Sequence, residues 1–122
     1  MDATSWIAWA AGVFEGEGTI TKSSNRASGS STLTLQLGMT DEDVVRRFHE
    51  VLGVGNVGGP YGPYSDGRKP FWKWYVHGEK AHVVLGVFWP YLGSRRRERA
   101  TEKIDACSTH SRSTAPRLLE GP

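Results

Sequence analysis

The chain has 122 residues, enough for one domain with a buried core. Its single cysteine, Cys107, excludes an internal disulfide framework, and its four histidines lack the spacing of a zinc site. The formal net charge of +2 is small, but four arginines stand together in the segment SRRRER at 94–99. A local basic patch on a nearly neutral chain favours an anionic partner at a defined surface.

The first half of the chain predicts a helix and two strands. Residues 5–15 are apolar on nearly every face, as expected of a buried helix, and the glycines of EGEG at 15–18 end it. Strands are predicted at 19–25 and 32–39. In the second of them, TLTLQLGM, leucines alternate with polar residues, which is the period of a strand with one buried face.

The second half repeats this plan of a helix followed by a hairpin. The helix 40–53 has Thr40 as its predicted cap and Gly53 as its end. A weak, glycine-rich strand at 54–63 turns at SDGR and returns as the strand 71–77. The last predicted segments are two helices and a flexible tail: 79–89, 95–106 and 107–122.

These elements predict an α+β fold with the order αββαββα and a last short helix, in one domain over residues 1–106. The two hairpins would form a four-stranded antiparallel sheet with the helices on one face. The other face is either a solvated surface or a surface that recognises a polar ligand. Its predicted side chains are Thr21, Ser23, Thr32, Thr34, Gln36, Lys73, Tyr75 and His77.

No membrane segment or secretory signal is expected. The first residues, MDATSW, lack the basic start of a signal peptide. The longest uncharged apolar stretch, 6–14, is far shorter than the roughly 20 residues that cross a bilayer. The sequence therefore predicts that the protein is neither secreted nor a partner of membranes.

The nonamer AAGVFEGEG, from Ala10 to Gly18, resembles the motif of the LAGLIDADG homing endonucleases. Three further segments strengthen the resemblance: DEDVVRRFHEVLGVGNV, WKWYV and PYLGSRRRE, which lie where the family has a helix and strand, its fourth strand, and a proline–aromatic–leucine segment before basic residues. The resemblance extends from about Ser5 to Ala106 and implies the family's fold, with a saddle-shaped sheet. One motif in a chain of this length implies the homodimeric branch.

The motif helix carries small residues at spacings of three and four, which place them on one helical stripe. Such a stripe lets two helix backbones approach closely, and a second copy of the same helix is the natural partner. The predicted dimer interface consists of Ala8, Ala11, Gly12 and Glu15. The alternative is a helix that packs inside the subunit and ends in a solvated acidic turn.

The resemblance implies a Mg²⁺-dependent endodeoxyribonuclease that makes a staggered double-strand cut in a long, pseudo-palindromic duplex. Mn²⁺ is expected to replace Mg²⁺, and Ca²⁺ to support binding without cleavage. No small-molecule substrate is expected. The gene would belong to a mobile intron or intein, and the enzyme would act in the cytoplasm or an organellar matrix, wherever the host DNA lies.

Three residues are expected at the catalytic site. Glu17 is the expected metal ligand, and its neighbours Gly16 and Gly18 are predicted to let the backbone bend sharply towards DNA. Arg95 takes the place of a basic residue, usually lysine, near the scissile phosphate, although a shift of the alignment would put Arg96 or Arg97 there. Asp41 takes the place of a polar residue near the metal-bound water. Its simpler interpretation is a negative charge at a helix N-terminus.

The open sheet face is expected to enter the major groove of each half-site. Short hydroxyl and amide side chains would contact base edges, and basic side chains would contact phosphates. The predicted DNA-binding residues are Thr21, Ser23, Asn25, Arg26, Thr32, Thr34, Gln36, Arg68, Lys69, Lys73, Tyr75 and His77. Lys22 is also expected to contact the phosphate backbone of the DNA. Two other functions remain open, a non-catalytic DNA-binding protein of this fold and an intron maturase that binds RNA.

Overall fold

The structure, a computed structural model, describes residues 2–25 and 29–106. The helices and strands of this part of the chain are α1 (Ala3–Glu17), β1 (Gly18–Asn25), β2 (Ser30–Met39), α2 (Glu42–Leu52), β3 (Asn56–Tyr61), β4 (Phe71–His77), α3 (Glu79–Phe88) and α4 (Ser94–Asp105). A 3-10 turn, Trp89–Tyr91, joins the last two helices. None of these helices is long and apolar enough to cross a membrane. Arg26, Cys107 and the predicted tail 107–122 lie outside the described residues.

The four strands form one antiparallel sheet in the order β1-β2-β4-β3. Leu35 of β2 lies between Ile20 of β1 and Val76 of β4. The sheet, the order of elements and the α+β class agree with the sequence prediction. The differences are at the ends of the elements. The largest is in β3, which has six residues where the sequence predicted a strand over 54–63, because its glycines and a register shift after Gly58 interrupt the pairing with β4.

All helices contribute to a core on one face of the sheet. The buried sheet residues are Ile20, Leu33, Leu35, Leu37, Trp74 and Val76. Phe48 of α2 meets the Trp74 ring with centroids 4.8 Å apart, and Phe88 of α3 lies 6.0 Å from Phe48 and 5.5 Å from Phe14 of α1. This aromatic chain fixes the three helices against the sheet, and its apolar area supplies the main driving force for folding.

The passage from α1 to β1 is set by the core. Phe14 is fully buried, and a methyl group on Gly18 would overlap its ring and lie 2.6 Å from its carbonyl oxygen. Gly18 has an ordinary extended backbone, with φ −78° and ψ 159°. The prediction that flanking glycines serve a sharp bend is therefore wrong for Gly18, which is required because the Phe14 ring fills the space of a side chain. Packing in the core thereby fixes the position at which the chain passes from α1 to β1, directly after Glu17.

The second helix begins one residue later than predicted. Asp41, not Thr40, is the N-cap residue, and its side chain makes no capping hydrogen bond. At the other end, Gly53 adopts the left-handed conformation with φ +71°, and its N–H donates to the carbonyl of His49 over 2.8 Å. That end agrees with the prediction, because glycine takes this conformation without the penalty that a side chain imposes.

His82 on α3 gives the fold a dependence on pH. Its side chain is 4% exposed, and Nδ1 has no hydrogen-bond partner among the described residues. Burial lowers the pKa of His82, and the negative charge of Glu79 opposes that shift only in part. The folded chain therefore holds His82 neutral at a pH where the unfolded chain has begun to protonate it.

We expect the free energy of unfolding to fall as the pH drops below the ordinary histidine value of about 6.5, by at most ~1.4 kcal/mol per pH unit for this one proton. His82→Leu removes the proton-binding group and should flatten the slope. Urea denaturation between pH 5 and 8 measures it. His77→Gln is the control, since His77 is exposed; an equal loss of slope in both variants contradicts the assignment to His82.

Candidate nucleic-acid interface and acidic pocket

The face of the sheet opposite the core carries the predicted polar residues in cross-strand rows. One row runs through Thr21, Thr34 and His77, and the next through Gln36 and Tyr75. The second row is completed by two residues that sequence reasoning did not select. These are Thr19 and Asn56, both exposed. The alternation of Thr19 with Ile20 was the available signal for the first, whereas the short, irregular β3 gave none for Asn56.

Two predicted contacts occupy other positions than expected. Thr34 is only 6% exposed, and its hydroxyl pairs with that of Ser23 at 2.8 Å, so it supports this face and does not present a free group. Lys22 pairs with the buried Leu33 and therefore shares the side of the sheet that the helices cover. Of the other predicted contacts, Arg26 lies outside the described residues.

Aromatic rings and cations form a ladder at the hairpin end of the open face. The ring centroid of Phe71 lies 5.2 Å from that of Tyr61 and 6.2 Å from that of Tyr64. Two of the predicted DNA-binding residues stand at the ends of this ladder: Lys73 Nζ lies 5.7 Å from the centre of the Tyr61 ring, and the Arg68 guanidinium lies 4.2 Å from the centre of the Tyr64 ring. Because these contacts form only when the hairpin closes, the sequence pattern gave no sign of them.

Lys69 and Arg68 lie in the loop of this hairpin, and both are exposed. Arg68 is also bonded to Asp66, with Nε donating to Oδ2 over 2.8 Å. An exposed ion pair of this kind contributes little to stability, so its role here is to fix the direction of the arginine. Lys69 carries the less restrained of the two charges.

A concave pocket of about 440 Å³ adjoins the open face at the end of α1. It is lined by Glu17, Gly38, Met39, Thr40, Asp41 and Phe71. Two of the three predicted catalytic residues thus border one cavity. The carboxylates of Glu17 and Asp41 are exposed, and neither makes a hydrogen bond within the described residues. Asp41 is the N-cap residue of α2, which agrees with its simpler interpretation as a negative charge at a helix N-terminus, and it also borders this pocket.

The two carboxylates offer the oxygen ligands that Mg²⁺ prefers, and Mg²⁺ characteristically binds through one or two carboxylates together with water and phosphate oxygens. Among the described residues, no three histidine, cysteine or acidic side chains are grouped so as to hold a metal ion. Two carboxylates at one pocket fit a magnesium site in which water and phosphate oxygens are the other ligands.

The three consecutive arginines of α4 have different surroundings. Arg96 Nε donates to the carbonyl of Glu15 over 3.2 Å, and its Nη1 donates to the carbonyl of Gly18 over 2.5 Å. Arg97 donates to the carbonyl of Trp89 through Nε and Nη2, at 3.1 and 2.8 Å. Arg95 is exposed and makes no such bond within the described residues. Of the three, Arg95 keeps its guanidinium available for a ligand.

The small-residue stripe of α1 differs from the prediction. Ala11 is fully buried within the subunit and cannot contact a partner helix. The Glu15 carboxylate accepts from the Gly93 N–H of its own subunit over 3.4 Å, so it faces α4 and not a second copy. Gly12 and Gly16 are exposed, and a methyl group on either would meet nothing within 4 Å. The open stripe therefore runs along Ala8, Gly12 and Gly16.

The fold is that of LAGLIDADG homing endonucleases. The homing endonuclease I-CvuI, in complex with its target in the presence of Ca²⁺, aligns with a TM-score of 0.63 and 17% identity over 97% of this chain and 80% of that one. The archaeal intron-encoded homing endonuclease I-Vdi141I, complexed with DNA, gives 0.62 and 13% over 97% and 82%. The LAGLIDADG meganuclease I-AabMI, bound to uncleaved DNA, gives 0.64 and 17% over 98% and 39%. No family model and no curated protein sequence matches the chain.

Proposed function

We propose that this protein is a LAGLIDADG-type homing endonuclease. It acts as a homodimer, and in the presence of Mg²⁺ it makes a staggered double-strand cut in a long, pseudo-palindromic DNA target. The observation that carries the proposal is the position of Glu17, an exposed carboxylate at the end of α1 beside an uncovered polar sheet face. The likeness of the fold to DNA-bound endonucleases supports the same reading.

The open face is the DNA-binding surface of the proposal. Gln36 and the hydroxyls of Thr21, Ser23 and Thr32 lie on adjacent strands, where amide and hydroxyl groups suit the donors and acceptors of base edges in the major groove. Asn25, the last residue of β1, and Arg26, which lies outside the described residues, belong to the same proposed surface. Tyr75 and His77 lie with ring centroids 5.8 Å apart and supply apolar and polar contacts beside Gln36.

A second copy of the chain completes the site. Close approach of two α1 helices along Gly12 and Gly16 brings both Glu17 carboxylates to a two-fold axis. Each carboxylate then supplies one ligand, and scissile phosphates supply others. This arrangement accounts for a pocket that has only two acidic residues per subunit.

The proposed roles of the side chains follow from their charge and from their exposure to solvent. Bound Mg²⁺ supplies Lewis-acid chemistry and a water of lowered pKa. Glu17 would hold the ion, and Asp41, which lines the same pocket, would accept a hydrogen bond from water there. Arg95 stabilises negative charge on the phosphate undergoing substitution, a task that suits a permanent cation better than proton donation does. Mn²⁺ replaces Mg²⁺, and Ca²⁺ supports binding alone.

Binding should weaken steeply with salt, because each phosphate contact contributes about −0.9 to the slope of log K against log salt concentration. If Lys69 meets one phosphate in each subunit, Lys69→Ala should flatten the slope by about 1.8 for the dimer. Fluorescence anisotropy between 50 and 300 mM salt measures this. Arg46→Ala is the control, since Arg46 lies on α2 and pairs with Glu42; equal slopes for wild type and Lys69→Ala remove this loop from the interface.

The proposal is tested by selecting duplexes from a random DNA library with the purified protein in Ca²⁺ and then adding Mg²⁺. We expect selection of a pseudo-palindromic site and its cleavage on both strands. Selection of a site that is never cut in Mg²⁺ or Mn²⁺ indicates a non-catalytic DNA-binding protein. Failure to select duplex DNA, together with tight binding of intron RNA, indicates a maturase.

A further inference from the structure

Two helix ends cap each other where α1 meets α4. The last carbonyls of a helix and the first N–H groups of a helix have no partners within it. Here the Arg96 guanidinium of α4 donates to the carbonyls of Glu15 and Gly18, and the Glu15 carboxylate accepts from Gly93 N–H. The contacts are reciprocal and join residues about 80 positions apart in sequence, as the separations of 78 and 81 residues show.

The two carbonyls that Arg96 holds flank Glu17 on both sides. Residue 15 is in the last turn of α1, and residue 18 begins β1, so the backbone of Glu17 is fixed at both ends by one half-buried guanidinium. On the core side, the ring and carbonyl of Phe14 leave no room for a side chain at Gly18, so the backbone packs directly against them. Only the Glu17 side chain itself stays free, since it is exposed and makes no bond within the described residues.

We propose that Arg96 is a positioning residue for Glu17: it fixes the backbone that carries the carboxylate and so sets the affinity of the pocket for a divalent cation. This inference rests on the proposed function, in which Glu17 is a metal ligand. The groups that orient a metal ligand commonly change metal affinity by about 10–100-fold when they are replaced. Arg96 acts on Glu17 through the backbone, because its Nε and Nη1 groups donate to the carbonyls of residues 15 and 18.

The neighbouring Arg97 provides a matched control. It is also half-buried in α4 and also donates twice to backbone, but its acceptor is the carbonyl of Trp89 and not one beside Glu17. Lysine in place of either arginine keeps the charge and loses the planar, two-pronged donor. If replacing an arginine of α4 disturbs the whole helix, both variants therefore lose metal affinity. If the effect passes through Glu17, only Arg96→Lys loses it.

The first measurement is amide hydrogen exchange on the protein alone. The Gly18 N–H donates to the carbonyl of Phe14 and reports whether the end of α1 stays closed. We expect at least about tenfold faster exchange at this amide in Arg96→Lys than in Arg97→Lys, matching the loss of a hydrogen-bonded restraint worth ~1.4 kcal/mol. Equal exchange in wild type and Arg96→Lys overturns the inference.

The second measurement is calorimetric titration of Ca²⁺ into the complex with the selected duplex. We expect Ca²⁺ affinity to fall about tenfold or more in Arg96→Lys and to be unchanged in Arg97→Lys. Unchanged affinity in Arg96→Lys overturns the inference. If Arg96→Lys does not fold, Arg96→Gln, which retains one donor group, is measured in its place. Glu17→Gln separates the two proposals, because undiminished Ca²⁺ binding in that variant refutes the metal site itself.

Discussion

Glu17→Gln is expected to abolish DNA cleavage, with a loss of at least about 10³-fold, because the amide keeps the shape of the side chain and removes the charge that binds Mg²⁺. This loss is expected because, in the proposed site, the Glu17 carboxylate at the end of α1 is the metal ligand of each subunit. Cleavage of the selected duplex under single-turnover conditions measures it. Glu50→Gln on α2, also an exposed glutamate, is the control and should cut at the wild-type rate.

The same variant should keep its other properties. Glu17 makes no hydrogen bond within the described residues, so its replacement leaves the subunit's contacts intact. Removing two like charges from the dimer axis should raise the Tm slightly in the absence of metal. Site-specific binding in Ca²⁺ should persist through the sheet face. Cleavage by Glu17→Gln at a rate near wild type would show that the acidic pocket is not the catalytic site.

Gly12→Leu is expected to break the dimer without unfolding the subunit. A side chain at this position meets nothing within 4 Å in one chain, and glycine is a poor helix former, so the isolated subunit tolerates leucine. Between two α1 helices the same side chain blocks close approach of the backbones. Sedimentation at micromolar concentration should find monomers or irregular aggregates where the wild type gives dimers.

Two observations make this result decisive. Circular dichroism should show the helix content of the wild type, and DNA cleavage should be lost because the site is incomplete in a monomer. Lys80→Leu adds the same apolar side chain to an exposed position on α3, off the stripe, and should remain a dimer. A wild-type chain that sediments as a stable monomer, or a Gly12→Leu chain that stays dimeric, contradicts the proposed interface.

Local patterns were sufficient to predict the sheet. The alternation of leucine and polar residues in β2 determines which face is buried, and the buried Leu33, Leu35 and Leu37 follow it. Helix ends were harder to predict, because Asp41 and Thr40 both precede α2 and either residue type suits a cap. The segment of β3 has no alternation of apolar and polar residues, because its glycines carry no side chains, so the bounds of this strand could not be predicted.

The error at Ala11 has a simple geometric cause. Spacings of three and four from Ala8 reach both Ala11 and Gly12, which lie about 100° apart around a helix of 3.6 residues per turn. Sequence spacing cannot decide between them without knowing where the sheet lies. Phe14, three residues after Ala11, lies on the same face of the helix, and both residues are buried in the core. Gly12 therefore lies on the outer side of the helix.

Long-range contacts account for the rest of what the sequence did not predict. The run of three arginines in α4 looked uniform, yet Arg96 bonds to the end of α1, Arg97 bonds to the turn after α3, and Arg95 has no such bond within the described residues. The ladder of Tyr61, Tyr64 and Phe71 depends on the closed hairpin in the same way. Contacts of this kind are properties of the folded chain and leave no periodic trace.

The alternation of β2 has a consequence for which substitutions the chain tolerates. Leu33, Leu35 and Leu37 are packed in the core, whereas Thr32 and Gln36 lie on the other face and are only partly buried; Thr34, bonded to Ser23, is the exception on that face. Substitutions at Thr32 or Gln36 should therefore cost little stability, whereas Leu35 and Leu37 are required for the packing of the core. For the proposed DNA-binding function, specificity can therefore change on this surface one residue at a time while the fold is kept.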